Sequence, residues 1–182
     1  MIQDPLKTWV DEIRKYNQRL HLVSPAFLKD LEHHALDCLE LMEQIHEPVL
    51  ADLGTGSGLP GIPFKIAHPD SLVFLIERSA KKCSFLRHII DLLRLENMEV
   101  LDLDPLCTQI GKFDAVITRA FSPQEKLEKA LLRILSENGR FYYVSTYDKD
   151  LYLGKSFRLS QKFSKSRADH ILKLEKYIIT AS

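Results

Sequence analysis

Asp52 closes a short apolar run, 49-VLADL-53, and four glycines follow it at once, Gly54, Gly56, Gly58 and Gly61 in 54-GTGSGLPG-61. A second carboxylate, Glu77, stands about 20 residues further on, at the end of the next apolar run, 72-LVFLIE-77. Glycine accepts positive φ and carries no Cβ, so such a loop brings its backbone within contact distance of a ligand. A carboxylate at the end of a second strand can take both hydroxyls of a ribose. The pair points to an adenosine-containing ligand, with a solvated strand end as the plain alternative for Glu77.

The stretch Gly56-Ser57-Gly58-Leu59-Pro60-Gly61 also satisfies G-x-G-x-x-G, which keeps a dinucleotide and a NAD-linked oxidoreductase open. Two details favour S-adenosylmethionine. Asp52 sets a negative charge where a pyrophosphate would approach, whereas a sulfonium or an α-amino group would be welcome there. Pro60, at the start of the next helix, lacks an N–H that a phosphate could use. The expected cofactor residues in this loop and at the second strand are Asp52, Gly54, Thr55, Gly56, Gly58, Leu59, Glu77 and Arg78.

Elements that would position these residues can be read from the periodicity. Asp4-Pro5 opens a helix with Leu6, Trp9, Val10, Ile13 and Leu20 on one face, and Ser24-Pro25 opens further helix from Phe27 to Ile45. After Pro48, the runs 49–53, 72–77, 99–103, 113–118 and 140–146 alternate with helical segments 79–95 and 122–135. Glu137-Asn138-Gly139 reads as a tight turn before the fifth strand, and 147–167 as a polar, basic tail before a last strand-like run, 170–179. The expected fold is one α/β domain, 1–182, with a mostly parallel sheet, helices on both faces, an N-terminal helical cap over 1–47 and a Rossmann-like core over 48–182.

Composition narrows the function classes. The 25 Lys and Arg balance 25 Asp and Glu, so any polyanion partner has to be met by a local patch and not by a basic coat. Cys38, Cys83 and Cys107 have no metal-ligand spacing and no partner pattern, so no metal and no disulfide is expected. No leader and no membrane-length apolar run is read, and a cytoplasmic monomer is expected. Arg119 closes the fourth strand at the rim where a transferred methyl would emerge, and a salt bridge to a carboxylate is its structural alternative. Lys81 and Lys82 stand in the first turn of a helix, against the positive end of its dipole, and their place near the cofactor edge points to an RNA-backbone role, a solvated face being the alternative for Lys81. His33 and Asp37 are spaced to pair on one helix face. In the tail, Lys162, Lys165 and Arg167 beside Phe163 could grip RNA phosphates.

The blocks DLGTGSGLPGIPFKIAHP, IERSAKKCSFLRHIIDLLRLENMEV and FDAVITRAF resemble the bacterial small-subunit rRNA methyltransferase G family, also called glucose-inhibited division protein B. The segments WVDEIRKYNQRL and EHHALDCL are similar to that family's N-terminal helices. The resemblance implies a class I methyltransferase with a seven-stranded-type sheet. The activity it implies is transfer of a methyl group from S-adenosylmethionine to N7 of a guanine in the decoding-region loop of 16S rRNA, alone or in the small ribosomal subunit, with release of S-adenosylhomocysteine.

The resemblance makes Arg119 the catalytic candidate, in contact with both cofactor and RNA. It puts Asp104 and Leu106 against the adenine, an ordinary Asp-Pro turn being the alternative, and His34 and Asp37 near the RNA. The chain departs from the family pattern at 104-DPL-106, where an Arg-x-Glu element is usual, at Ser145-Thr146, where Lys-Gly is usual, and at His21, Val23 and His33. These changes thin the substrate side. Methylation of another RNA or of a small molecule, or cofactor and RNA binding without catalysis, are the alternatives.

Overall fold

The computed structural model describes residues 4–119, 121, 124–145, 151, 153–167 and 170–179. Seven strands, β1 (Val49–Leu53), β2 (Leu72–Glu77), β3 (Met98–Asp102), β4 (Phe113–Arg119), β5 (Leu135–Ser145), β6 (Phe157–Arg167) and β7 (His170–Ile179), form one sheet in the order β3-β2-β1-β4-β5-β7-β6. The first five are parallel, and β7 runs antiparallel to both β5 and β6. This is the class I methyltransferase arrangement expected from the sequence.

Both faces of the sheet are covered, which is why its central strands read as unbroken apolar runs. Leu50, Val73, Leu75, Ala115 and Ile117 face helices α1 (Pro5–Leu20), α3 (Leu31–Met42), α4 (Gly61–Ala67) and α5 (Ala80–Leu93). Their alternates Ala51, Leu53, Ile76 and Val116 face α6 (Gln124–Ile134) through Leu127, Ala130, Leu131 and Ile134. A fully buried side chain of this size contributes about 1.5–3 kcal/mol, so the period-2 alternation fixes the register of every central strand.

The helical cap begins as expected. Asp4 accepts from the Leu6 N–H at 3.0 Å, and Pro5 takes the first helical position. The second helical stretch differs from the continuous helix expected over Phe27–Ile45. It breaks at Asp30 (φ −113°, ψ 23°) into α2 (Pro25–Lys29), capped by Ser24, and α3.

Two further expectations are corrected. Glu137-Asn138-Gly139 is not a turn ahead of β5 but lies inside it. Leu135 faces Phe113 and Arg140 faces Ala115, so the extra residues bulge out of the ladder. The supposed tail contains β6, a full edge strand paired with β7. Among the described residues, no helix is long and apolar enough to cross a membrane.

Candidate functional site

In a parallel sheet all the carboxyl ends of the strands lie along one edge, and the strand order reverses between β1 and β4. Gly54, Glu77 and Arg119 are brought to that edge by β1, β2 and β4. The loop after β1 turns through positive φ at Gly54, Gly56 and Gly58. Its backbone is tied to β2: the N–H groups of Gly54 and Thr55 both donate to the Ile76 carbonyl, at 2.9 and 3.2 Å.

Glu77 orders the same loop. One carboxylate oxygen accepts from the Gly56 N–H at 3.0 Å and the other from the Ser79 N–H at 2.9 Å. Each oxygen keeps lone-pair capacity, and the side chain borders a cavity, so a diol can still be bound.

Asp52 is placed differently from its neighbours. It is fully buried behind the loop, where one oxygen accepts from the Thr55 hydroxyl at 2.6 Å and the Gly61 N–H at 2.8 Å. Its other oxygen has no hydrogen-bond partner among the described residues. Burial pushes its carboxyl up to about 7, against the pull of those two hydrogen bonds. Asp52 lines neither of the two cavities beside the loop, and its hydrogen bonds fold the loop. Gly58 is also behind the loop, where a Cβ would lie 2.2 Å from Ile62 Cδ1. At Gly61 a Cβ would lie 2.5 Å from Leu75 Cδ2, so α4 rests directly on β2.

Two cavities flank the loop. The first, about 330 Å³, is lined by Gly54, Thr55, Gly56 and Leu59 from the loop, by Arg119 from β4 and by Phe27 from α2. The second, about 190 Å³, is lined by Glu77, Arg78, Leu103, Asp104, Leu106 and Phe121. Gly54 lines both, so one elongated ligand can run from one to the other. A Cβ on Gly54 would come within 3.1 Å of the Phe121 ring, which keeps this junction narrow. The second cavity offers carboxylate to hydroxyls and leucine side chains to a flat ring, which fits an adenosine.

Asp104 combines its two expected readings. It closes an Asp-Pro turn by accepting from the Leu106 N–H at 2.9 Å, and its other oxygen lies 3.7 Å from Arg78 at the cavity wall.

Arg119 lies with its guanidinium 4.2 Å over the Phe27 ring, and the His34 imidazole is stacked on that ring at 4.2 Å with 7° between planes. Two groups this close to one centroid occupy opposite faces. Phe27 is thus held between an arginine and a histidine. Sequence periodicity marked it only as apolar.

Asp37 is fully buried, and His33 is exposed and does not pair with it. Burial pushes the Cys38 thiol up to about 12, with smaller effects from the charges of Arg119, Asp52 and Asp37, which places those three around it. Lys82 is half-buried on α5. Lys162 reaches the buried Glu175 at 3.2 Å. The side chains of Lys165 and Arg167 lie outside the described residues. Among the described residues, no three His, Cys, Asp or Glu side chains converge as metal ligands.

The fold is similar to that of a magnesium protoporphyrin IX methyltransferase from Synechocystis PCC 6803 solved with bound S-adenosylmethionine. The TM-score is 0.66 at 14% identity, covering 97% of this chain and 98% of that one. A putative methyltransferase from Escherichia coli gives a TM-score of 0.57 at 17% identity over 74% of this chain and 78% of that one. In sequence, the ribosomal RNA small subunit methyltransferase G of Desulfotalea psychrophila is 42% identical over 101 residues, 54% of this chain and 46% of the relative. That of Idiomarina loihiensis is 35% identical over 130 residues, 70% of this chain and 63% of the relative. The chain therefore spans about half to two thirds of the length of these relatives. The profile of the family described as rRNA small subunit methyltransferase G matches residues 2–173, and the chain belongs to that family.

Proposed function

We propose that the protein transfers a methyl group from S-adenosylmethionine to N7 of a guanine in the decoding-region loop of 16S rRNA. The observation that carries this reading is the pair of cavities joined at Gly54, with the Glu77 carboxylate in one and Arg119 at the wall of the other, in a chain of this family. Glu77 would hold the ribose hydroxyls, Leu103 and Leu106 the adenine ring, and the backbone of Gly54, Thr55 and Gly56 the amino-acid end. Bound there, S-adenosylmethionine supplies an electrophilic methyl on a sulfonium.

Guanine N7 carries a lone pair and no proton, so no side chain has to act as a base. That matches a first cavity whose named polar side chains are hydroxyls and one guanidinium. The residues have only to orient the base and exclude water. A cation pressed against N7 would oppose the charge that develops on the purine. The Phe27 face holds Arg119 to one side, where it can reach O6 or a phosphate.

Labelled methyl transfer from S-adenosylmethionine into small subunits or 16S rRNA lacking the modification, with the product mapped by N7-specific strand cleavage, tests the reading. One N7-methylguanine, lost in Arg119→Ala, is expected. Tight S-adenosylhomocysteine binding with no transfer to either RNA substrate would overturn it.

A further inference from the structure

A third cavity, open and about 520 Å³, lies between α1 and α5, lined by Tyr16, Arg19, Leu20, Lys81, Phe85 and His88. Its floor is aromatic, with Tyr16 edge-on to Phe85 at 5.8 Å and to His88 at 5.7 Å. Its rim is cationic. Arg19 and Lys81 are exposed, and neither has a partner among the described residues. Glu12, on the same helix as Arg19, is already bound by Lys15 at 2.8 Å and His88 at 2.7 Å, so it does not answer those two cations.

The groove shares an edge of the molecule with the candidate site. Arg19 and Leu20 end α1 and lead into Leu22, Val23 and Ser24, which wall the first cavity. Lys81 stands in the first turn of α5, just after Glu77 and Ser79. That turn contains no acidic residue, and a lysine there faces the positive end of the helix dipole. An anion bound over Arg19 and Lys81 would be attracted by both cations and by the amino end of α5.

We propose that this groove binds the phosphate backbone of the substrate RNA next to the nucleotide that enters the first cavity, with Arg19 and Lys81 each neutralising a phosphate. The proposal rests on the rRNA reading above and assigns it a docking surface. The chain has a formal net charge of zero, so its affinity for a polyanion has to come from local cations that the fold leaves unpaired. Phosphate contacts dominate such affinity and release counterions. An RNA strand presenting a base to the first cavity must carry its flanking backbone across this edge.

The test compares Arg19→Gln/Lys81→Gln with a charge-matched control, Arg94→Gln/Lys112→Gln, at the opposite edge of the sheet where α5 ends and β4 begins. A 16S rRNA fragment is titrated over a range of salt, S-adenosylhomocysteine binding is measured alongside, and methyl transfer to subunits gives KM and kcat. For the groove variant, the slope of log affinity against log salt should fall in magnitude by about 1.5, at about 0.7–0.9 per phosphate. KM for subunits should rise about tenfold, with kcat and S-adenosylhomocysteine affinity as in the parent. An equal change in groove and control variants would overturn the proposal and leave the rRNA reading intact. So would a loss confined to assembled subunits with naked rRNA unaffected, since the partner there would be a ribosomal protein. A parent protein that binds S-adenosylhomocysteine and neither methylates nor binds the RNA overturns both.

Discussion

The guanidinium of Arg119 rests 4.2 Å above the ring of Phe27, and this contact ties the end of β4 to the helical cap. A cation–π contact contributes about 0.5–1 kcal/mol when exposed and about 2 when desolvated. Phe27→Leu should therefore lower kcat about tenfold, at about 1.4 kcal/mol per factor of ten, with S-adenosylhomocysteine affinity unchanged. Phe27→Trp should restore most of the rate. Equal rates for Leu and Trp in single-turnover methylation would show that the ring does not orient the arginine.

Glu77→Gln should weaken S-adenosylhomocysteine binding. The amide cannot accept at both ends, so the Gly56 or the Ser79 N–H loses its carboxylate partner while ribose recognition also suffers. Hydrogen bonds to charged groups contribute about 1.5–3 kcal/mol, which predicts a Kd increase of roughly 10- to 100-fold in calorimetry.

Asp52 gives a pH signature. Its carboxyl titrates near 3.8 when unfolded and at about 7 in the folded chain, raised chiefly by burial. Between those values the folded chain binds the extra proton. Stability is therefore lost as pH rises from about 4 to about 7, and the loss is complete above 7. Asp52→Asn keeps an oxygen for Thr55 and Gly61 but cannot ionise. Its Tm at pH 8 should equal or exceed that of the parent, and the difference should shrink toward pH 5. Parallel Tm curves for the two proteins would contradict this assignment.

Gly58→Ala should unfold the loop before it affects any ligand contact. The residue sits at φ +96°, and its Cβ would fall 2.2 Å from Ile62 Cδ1 and 3.3 Å from Leu86 Cδ2. The forbidden backbone region alone costs about 1–3 kcal/mol. Loss of Tm by several degrees is expected, and pairing with Ile62→Val should recover part of it.

Lys162→Met separates structural cations from RNA-binding ones. Glu175 is buried and bonded to the Tyr177 hydroxyl as well as to Lys162. Removing the lysine should cost about 1–3 kcal/mol of stability in chemical denaturation. The salt dependence of RNA binding should stay as it was.

The β-α alternation and the glycine loop were legible because both are written locally, in unbroken apolar runs and in residue types that only a close backbone requires. β6 was not legible. Polar and basic residues dominate 158–167, and because Ser160 is skipped in the pairing between Leu159 and Gln161, Phe157 and Phe163 pack on opposite faces of the sheet although their spacing in sequence puts them on one. Asp30 hides the break between α2 and α3, since the apolar spacing carries on across it. At the site, Glu77 and the loop glycines could be placed because strand ends in a parallel sheet share one edge. Lys81 could be placed near the cofactor edge, but the contact of Phe27 with Arg119 and the groove that joins Lys81 to Arg19 could not, because periodicity says which face of a helix is apolar and not what distant side chain it meets. Asp52 was identified as part of the loop, but its burial depends on how α4 closes over it.

Trp9 is the chain's single tryptophan; it is fully buried in α1, and its indole N–H donates to the Ser57 carbonyl in the glycine loop at 3.0 Å. The cap therefore reads the state of the loop through one hydrogen bond. Indole emission shifts with its hydrogen-bonding and polarity, so the protein carries an intrinsic optical reporter of that loop, and ligand arrival can be followed in real time without attaching a dye.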